Sequence, residues 1–389
     1  MKRKGDRVMK RLLCLSMCSL LLLAVPVWIC AQETDNGFLY KVFSHGYASI
    51  TGYAGGETEM VVPSEIKGYP VRSIGKGAFT GNGQLLSVIL PEGIESIGDN
   101  AFDGCGSLAA VSLPSTIREI GEFAFAGCYA LPAIDIPIGV TGIKNKTFVA
   151  CEALRKISLP AKLKTIGGAA FAASGIESID LPQNLTEIGP DAFAACPNLV
   201  NIRIPNRVRK IGRLAFDGCV MLESVILPAG LSSLNALFSG CASLREAAIP
   251  ASVKSIAADG TFDGCDQVTI LGFRGTEAEK YAVRHNIPFT AFELVNKVAL
   301  FSSGEDVSGG TIVIDLSSGN NIVHLEALTS PDNPWPGAVW KSSAPKVASV
   351  SADGTIRGLR KGRATLTAIA VDGSRVKAVC VVNVIDPAD

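Results

Sequence analysis

Seven cysteines recur at one place in a repeating pattern: Cys105, Cys128, Cys151, Cys196, Cys219, Cys241 and Cys265. Thiols ligate metals, pair as disulfides or attack carbonyls, and spacing decides among these chemistries. A metal cluster wants short C-x-x-C steps, whereas these cysteines stand more than twenty residues apart. Stacked coils would bring adjacent thiols within disulfide reach, and export permits oxidation. Asn82 and Ser174 hold the same position in two further copies. Cys, Asn and Ser share a short side chain able to hydrogen-bond a loop backbone. A column of buried thiols capping a turn is therefore the expected role, with disulfides the alternative. The histidines His45, His285 and His324 lie far apart, and none has a nucleophile and an acid at catalytic spacing. Carboxylates such as Asp135, Glu177 and Asp180 read as a solvated face. The expectation is a chain that is not an enzyme, with no metal and no cofactor.

What positions the thiols is a second periodicity. Phe79, Phe102, Phe125, Phe148, Phe171, Phe193, Phe216, Phe238 and Phe262 follow one another at 22 to 24 residues. A fixed period of that length marks a solenoid, because one short unit cannot bury its apolar face without a neighbour. In the clearest copy Val111 and Leu113 alternate as an inward-facing strand, and Pro114 ends it by lacking an N–H. Ile117 and Ile120 fill the return path. Gly121 suits a turn needing positive φ or a close backbone approach. Ala124-Phe125 sets a ring beside a small residue, so the rings are expected to stack in a column. Lys144, Asn235 and Ala257 depart from the glycine pattern and predict looser coils.

The recurring Leu-Pro, Ile-Gly, Ala-Phe and Cys positions resemble the leucine-rich repeats of BspA-like (Treponema pallidum type) bacterial surface proteins. The resemblance covers about residues 37–289. Its N-terminal cap is matched by Gly52-Tyr53 through Val71, and its helical C-terminal cap by Thr276 through Phe289. After Phe292 the pattern changes to short alternating runs broken by Gly, Ser and Asp. Trp340-Lys-Ser342-Ser343, Asp353-Gly354 and Gly362 through Ala368 are similar to the bacterial Ig-like domain of group 2. Its single Cys380 excludes the intradomain disulfide of antibody domains. Pro331, Pro334 and Pro336 mark a loop before Trp340, whose indole is expected between the sheets.

These resemblances imply an α/β-type leucine-rich repeat solenoid, mainly parallel β with about nine coils, followed by an all-β Ig-like sandwich. The expected divisions are a signal peptide at 1–31, an N-terminal cap at 32–58 and repeats at 59–274. A C-terminal cap at 275–292 and the Ig-like domain at 293–389 complete the chain.

The 389 residues carry 36 basic and 36 acidic side chains. Six basic residues and one acid fall within the first 31, and the remainder has 30 basic and 35 acidic residues, a net charge of −5. Nucleic acid is not an expected partner, because phosphate binding needs a basic surplus. Lys2, Arg3, Lys4, Arg7, Lys10 and Arg11 precede an apolar run from Leu12 to Trp28, which reads as a cleaved secretory signal ending near Ala31. Its rivals are an uncleaved anchor, for which 17 apolar residues are short, and a lipoprotein at Cys30, where Ile29 misfits the lipobox. Either way the chain is exported, to the exterior, the cell surface or the periplasm. Later in the chain no segment reads as a membrane span.

Solenoids of this kind commonly bind partners over their strand face. Its outward positions include Ser87, Ile89, Ala110, Ser112, Asp135, Ser178 and Ser224. The candidate contacts are Lys156, Ser158, Asp180, Asn201, Arg203, Ile226 and Glu246. Two basic groups, Arg155 to Lys164 and Arg203 to Arg213, suit an acidic protein or a sulfated polysaccharide, or are ordinary solvated positions. Between residues 85 and 273 Tyr129 is the lone Tyr or Trp. That argues against a carbohydrate platform and for an extended, mostly polar protein contact. By the resemblance, partners include host matrix proteins, other bacterial cells and host receptors. A structural or periplasmic scaffold, or a non-catalytic polysaccharide-binding component, is the competing reading.

Overall fold

The computed structural model describes residues 33–319, 321–331, 338–351 and 353–386. The leader, Cys30 and the Pro334 to Pro336 loop lie outside the described residues. An antiparallel hairpin, Phe38–Phe43 with Tyr47–Tyr53, opens the solenoid. Its second strand runs parallel to Tyr69–Ile74, so the first coil starts on a paired edge.

Each coil then turns through three faces. On the strand face, runs such as Ala133–Asp135 and Lys156–Ser158 place one residue inward between two outward ones. On the second face, pairs such as Glu119–Ile120 bury their isoleucine. The third face carries the phenylalanines. From Phe102 to Phe238 all seven rings are 0% exposed. Successive rings among the nine stack with centroids 5.0 to 5.6 Å apart. The phenylalanine amides from Phe79 to Phe238 also donate along the axis, as Phe125 does to the Thr147 carbonyl at 2.9 Å. The expected column is present over all nine coils. Two further parallel strands, Thr269–Gly272 and Phe289–Ala291, extend the strand face beyond Phe262.

Two left-handed residues bracket each ring. Residues two before it, such as Phe123 at φ 55°, and two after it, such as Gly127 at φ 63°, turn the chain inward and out again. Gly121 has a different duty from this. A Cβ there would stand 2.4 Å from the Asp99 amide nitrogen, so close approach of coils, and not a positive φ, is what the position requires.

The strand face is not one continuous sheet. It divides into groups of three, two and six strands, broken before Ala133–Asp135 and before Ser178–Ile179. The first break coincides with Pro132, which lacks the N–H that Ala109 and Arg155 donate from the same position. The second falls where Ser174-Gly175-Ile176 is one residue shorter than Cys151-Glu152-Ala153-Leu154. The second face is interrupted at Lys144 and Asn235, two of the three irregular glycine positions. At Ala257, contrary to expectation, the ladder is kept, with its amide 2.9 Å from the Leu234 carbonyl.

The helix Glu277–Arg284 closes the core with Ala278, Tyr281 and Ala282, and Tyr281 lies 6.0 Å from Phe262. The following domain is a sandwich in which Gly362–Ala370 lies between Lys377–Ile385 and Ala338–Ser342. Leu300, Leu325, Leu366 and Val382 fill its core, and Trp340 packs half-buried against them. The domain docks on the end of the solenoid. Val371 joins Ala248, Phe273 and Phe292 in a small apolar cluster, and beside it, within the domain, Asp372 accepts the Val295 amide at 2.6 Å.

Candidate partner-binding face

The candidate contacts all stand on the strand face, in two outward rows. One row runs Ser87, Ala110, Ala133, Lys156, Ser178, Asn201, Ser224 and Glu246 by parallel register and sequence position. The other runs Val61, Ile89, Ser112, Asp135, Ser158, Asp180, Arg203, Ile226 and Ala248. Lys156, Ser158, Asp180, Asn201, Arg203, Ile226 and Glu246 are exposed.

The structure does not gather them into one patch. Lys156 and Ser158 sit on the two-stranded section, where the Ser158 hydroxyl donates to Asp135. Asp180, Asn201, Arg203, Ile226 and Glu246 belong to the six-stranded section. There Ser224 links to Asn201 at 3.3 Å, and Ile226 lies in register beside Arg203. Among the described residues Lys156 and Arg203 form no ion pair, so both cations point to solvent unneutralised. Other members of the basic groups are engaged. Arg155 pairs with Glu177 at 3.1 Å, Lys210 with Glu187 at 2.6 Å, and Arg207 donates to Asn184 at 2.8 Å.

Reading the sequence placed Ile89 and Ala110 outward but passed over the apolar character of this half of the face. Val61 is 65% exposed, Ile89 49% and Leu86 45%, and Ala109, Ala110, Pro132 and Ala133 are exposed beside them. The first four coils therefore present a largely apolar, small-residue surface bounded by Glu59 and Asp135, whereas the later coils present more charge. Its signal was there in the outward position one before each strand, which reads Leu86, Ala109 and Pro132 before turning to Arg155 and Glu177. At the far end Ala248 is buried under the Ig-like domain, which shortens the free face.

The thiols lie deep behind this surface. Cys105, Cys128, Cys151, Cys196, Cys219, Cys241 and Cys265 are all buried free thiols. Each donates to the phenylalanine carbonyl of the preceding coil at 3.0 to 3.3 Å. Burial pushes the Cys105 and Cys151 thiols up to about 12, so they hold their protons. The histidines take separate places. His285 stacks on Tyr281 at 4.1 Å and His324 lies 3.4 Å from Thr355. Among the described residues no helix is long and apolar enough to cross a membrane.

Residues 72–200 and 186–299 match the BspA type leucine rich repeat region in six copies, and residues 326–381 match the bacterial Ig-like domain of group 2. Several solved structures are similar. A leucine rich cell surface protein from Faecalibacterium prausnitzii A2-165 is 25% identical over 61% of this chain and 88% of that one, with a TM-score of 0.40. The T. pallidum leucine rich repeat protein is 29% identical over 66% of this chain and 95% of that one, with a TM-score of 0.34. The pneumococcal vaccine antigen PcpA is 17% identical over 67% of this chain and 98% of that one, with a TM-score of 0.33. No curated protein matches the chain.

Proposed function

The chain belongs to the BspA type leucine rich repeat family, and on that premise we propose that it is an exported binding protein whose strand face docks a protein partner. One observation carries this reading. Inward positions are apolar in every coil, whereas the outward rows range over Ser, Ala, Val, Ile, Asn, Asp, Lys and Arg, and most of them stand open to solvent between Val61 and Ile226. A stacking scaffold needs only the inward set, so the variation belongs to contact.

The face has the anatomy of a docking surface. Val61, Leu86 and Ile89 supply an apolar patch at one end, and Lys156, Asp180, Asn201 and Arg203 a charged stretch beyond it. The two unpaired cations favour acidic groups opposite them. The Ig-like domain, held by Val371 against Ala248 and Phe273, acts as a rigid spacer behind it. Export rests on the basic and apolar opening of the chain. No catalytic step is assigned.

The test is a binding screen of residues 32–389 against matrix proteins, whole cells and a glycan array. Saturable protein binding that weakens in Lys156→Glu with Arg203→Glu, and separately in Ile89→Asp, is expected. Binding to glycans alone would sink the reading.

A further inference from the structure

The two ladders of the solenoid begin differently. On the second face Tyr47–Tyr53 lies against Tyr69–Ile74, and the strands Phe38–Phe43 and Glu33–Asp35 continue beyond it. The strand face has no such cap. Its first strand, Glu59–Val61, pairs in parallel with Ser87–Ile89, and among the described residues no strand lies on its other side.

The register shows which backbone groups this leaves open. The Thr58 carbonyl accepts the Leu86 and Ser87 amides at 2.7 and 3.1 Å, and the Val62 amide donates to Ile89 at 3.0 Å. Groups alternate along a strand, so Thr58, Met60 and Val62 address the next coil, and Glu59 and Val61 address the uncapped side. One coil later the same positions are occupied, since Ser87 donates to Thr58 and Ile89 accepts from Val62. Among the described residues no backbone group meets the amides or carbonyls of Glu59 and Val61. Met60 turns inward and is buried, whereas Val61 stands exposed beside Ile89 and Leu86. Edges are ordinarily blunted by lysine, proline or a bulge, and this strand carries only the exposed carboxylate of Glu59.

We propose that the protein partner adds an extended segment to this edge as a further strand of the strand face. The inference rests on the reading of that face as a docking surface and names how its first coil is engaged. Two amides and two carbonyls in ladder alternation are satisfied by another backbone, and an extended segment is the ligand that brings one. Side chains on neighbouring strands lie about 5 Å apart, so the flanking residues set the preference. The carboxylate of Glu59 favours a cation opposite it. Val61, continuous with Ile89 and Leu86, favours a β-branched apolar residue two positions from that cation.

The test is an NMR titration of the purified protein with the blocked heptapeptide Thr-Val-Ala-Lys-Ala-Val-Thr. Its lysine stands two residues from a valine on either side, so it suits Glu59 and Val61 whichever way the added strand runs. Saturable shifts at the Glu59 and Val61 amides are expected, with slowed hydrogen exchange there. A fully N-methylated version keeps the charge, loses the donors and should bind at least roughly tenfold more weakly. Val61→Pro removes an edge amide that no backbone bond of the fold uses. It should weaken binding by a similar factor while the Ile89 amide stays protected. Equal binding of the N-methylated peptide, equal binding by a folded Val61→Pro protein, or no shifts at the two edge amides would each overturn the proposal. Partner binding that is lost in Lys156→Glu with Arg203→Glu yet untouched by Val61→Pro would also overturn it, and would leave the docking reading standing. The N-methylated comparison is made on the unaltered protein, so the test survives if the variant fails to fold.

Discussion

The thiol of Cys151 donates to the carbonyl of Phe125, 3.1 Å away in the preceding coil, and that carbonyl also accepts the Cys128 amide at 3.3 Å. Each repeat cysteine thus ties its turn to the ring of the coil before it, so the thiol column and the ring column are one device.

Replacing Cys151 separates hydrogen bonding from packing. Cys151→Ala should lose about 1–2 kcal/mol, from a small void and the missing donor. Cys151→Ser should lose less, because a hydroxyl keeps a donor at that position. Urea denaturation of both variants decides it, and an Ala variant as stable as the parent would show that the thiol bond contributes nothing.

Alkali should loosen the solenoid. In the folded chain Cys105 and Cys151 keep their protons up to about 12, against an ordinary value of 9.0. Unfolded thiols lose theirs first, so above pH 9.0 the folded state binds more protons and stability falls as pH climbs toward about 12. Below pH 9.0 this contribution is complete. The urea midpoint should be lower at about pH 10 than at neutral pH, and the native Cys105 and Cys151 thiols should resist alkylating reagents throughout.

Phe125→Ala should cost about 3–5 kcal/mol, since the ring is 0% exposed and neighbours on both sides leave a cavity. Calorimetry reads this directly. A loss under about 1 kcal/mol would contradict a packed column.

Ala173→Gly should raise stability by a few tenths to about 1 kcal/mol. Ala173 sits at φ 55° where other coils use glycine, as at Gly127 and Gly218, and its methyl group is exposed. A lower melting temperature would show that the left-handed turn carries no strain.

Asp372→Ala should loosen the base of the Ig-like domain, where it ties Val295 to the turn after Val371. Asp372 is 1% exposed, accepts Val295 at 2.6 Å and also accepts Ser374 at 3.0 Å. Removing it strands buried amides at a cost of about 1–3 kcal/mol. Urea denaturation should then show an earlier transition, and an unchanged midpoint would show that these two bonds contribute nothing.

Much of the fold was legible because its signals repeat. The phenylalanine period, the inward strand positions and the shared Cys, Asn and Ser position are set by local chain geometry and recur in register. The candidate face was legible only as a set of outward positions. Pro132 and Lys144 were visible as departures, yet their effect depends on the backbone of the neighbouring coil. The role of Gly121 stayed open between a turn and a close approach for the same reason.

What the residues determined alone is that the chain winds into stacked coils around a shared apolar core, since that pattern has no other way to bury its rings. Only the tertiary structure decided where the ladders part, which cations stay unpaired, and that the hairpin carrying Val371 covers Ala248. Those outcomes depend on distances of a few tenths of an ångström between coils and on contacts between residues more than a hundred positions apart, and no local pattern encodes either.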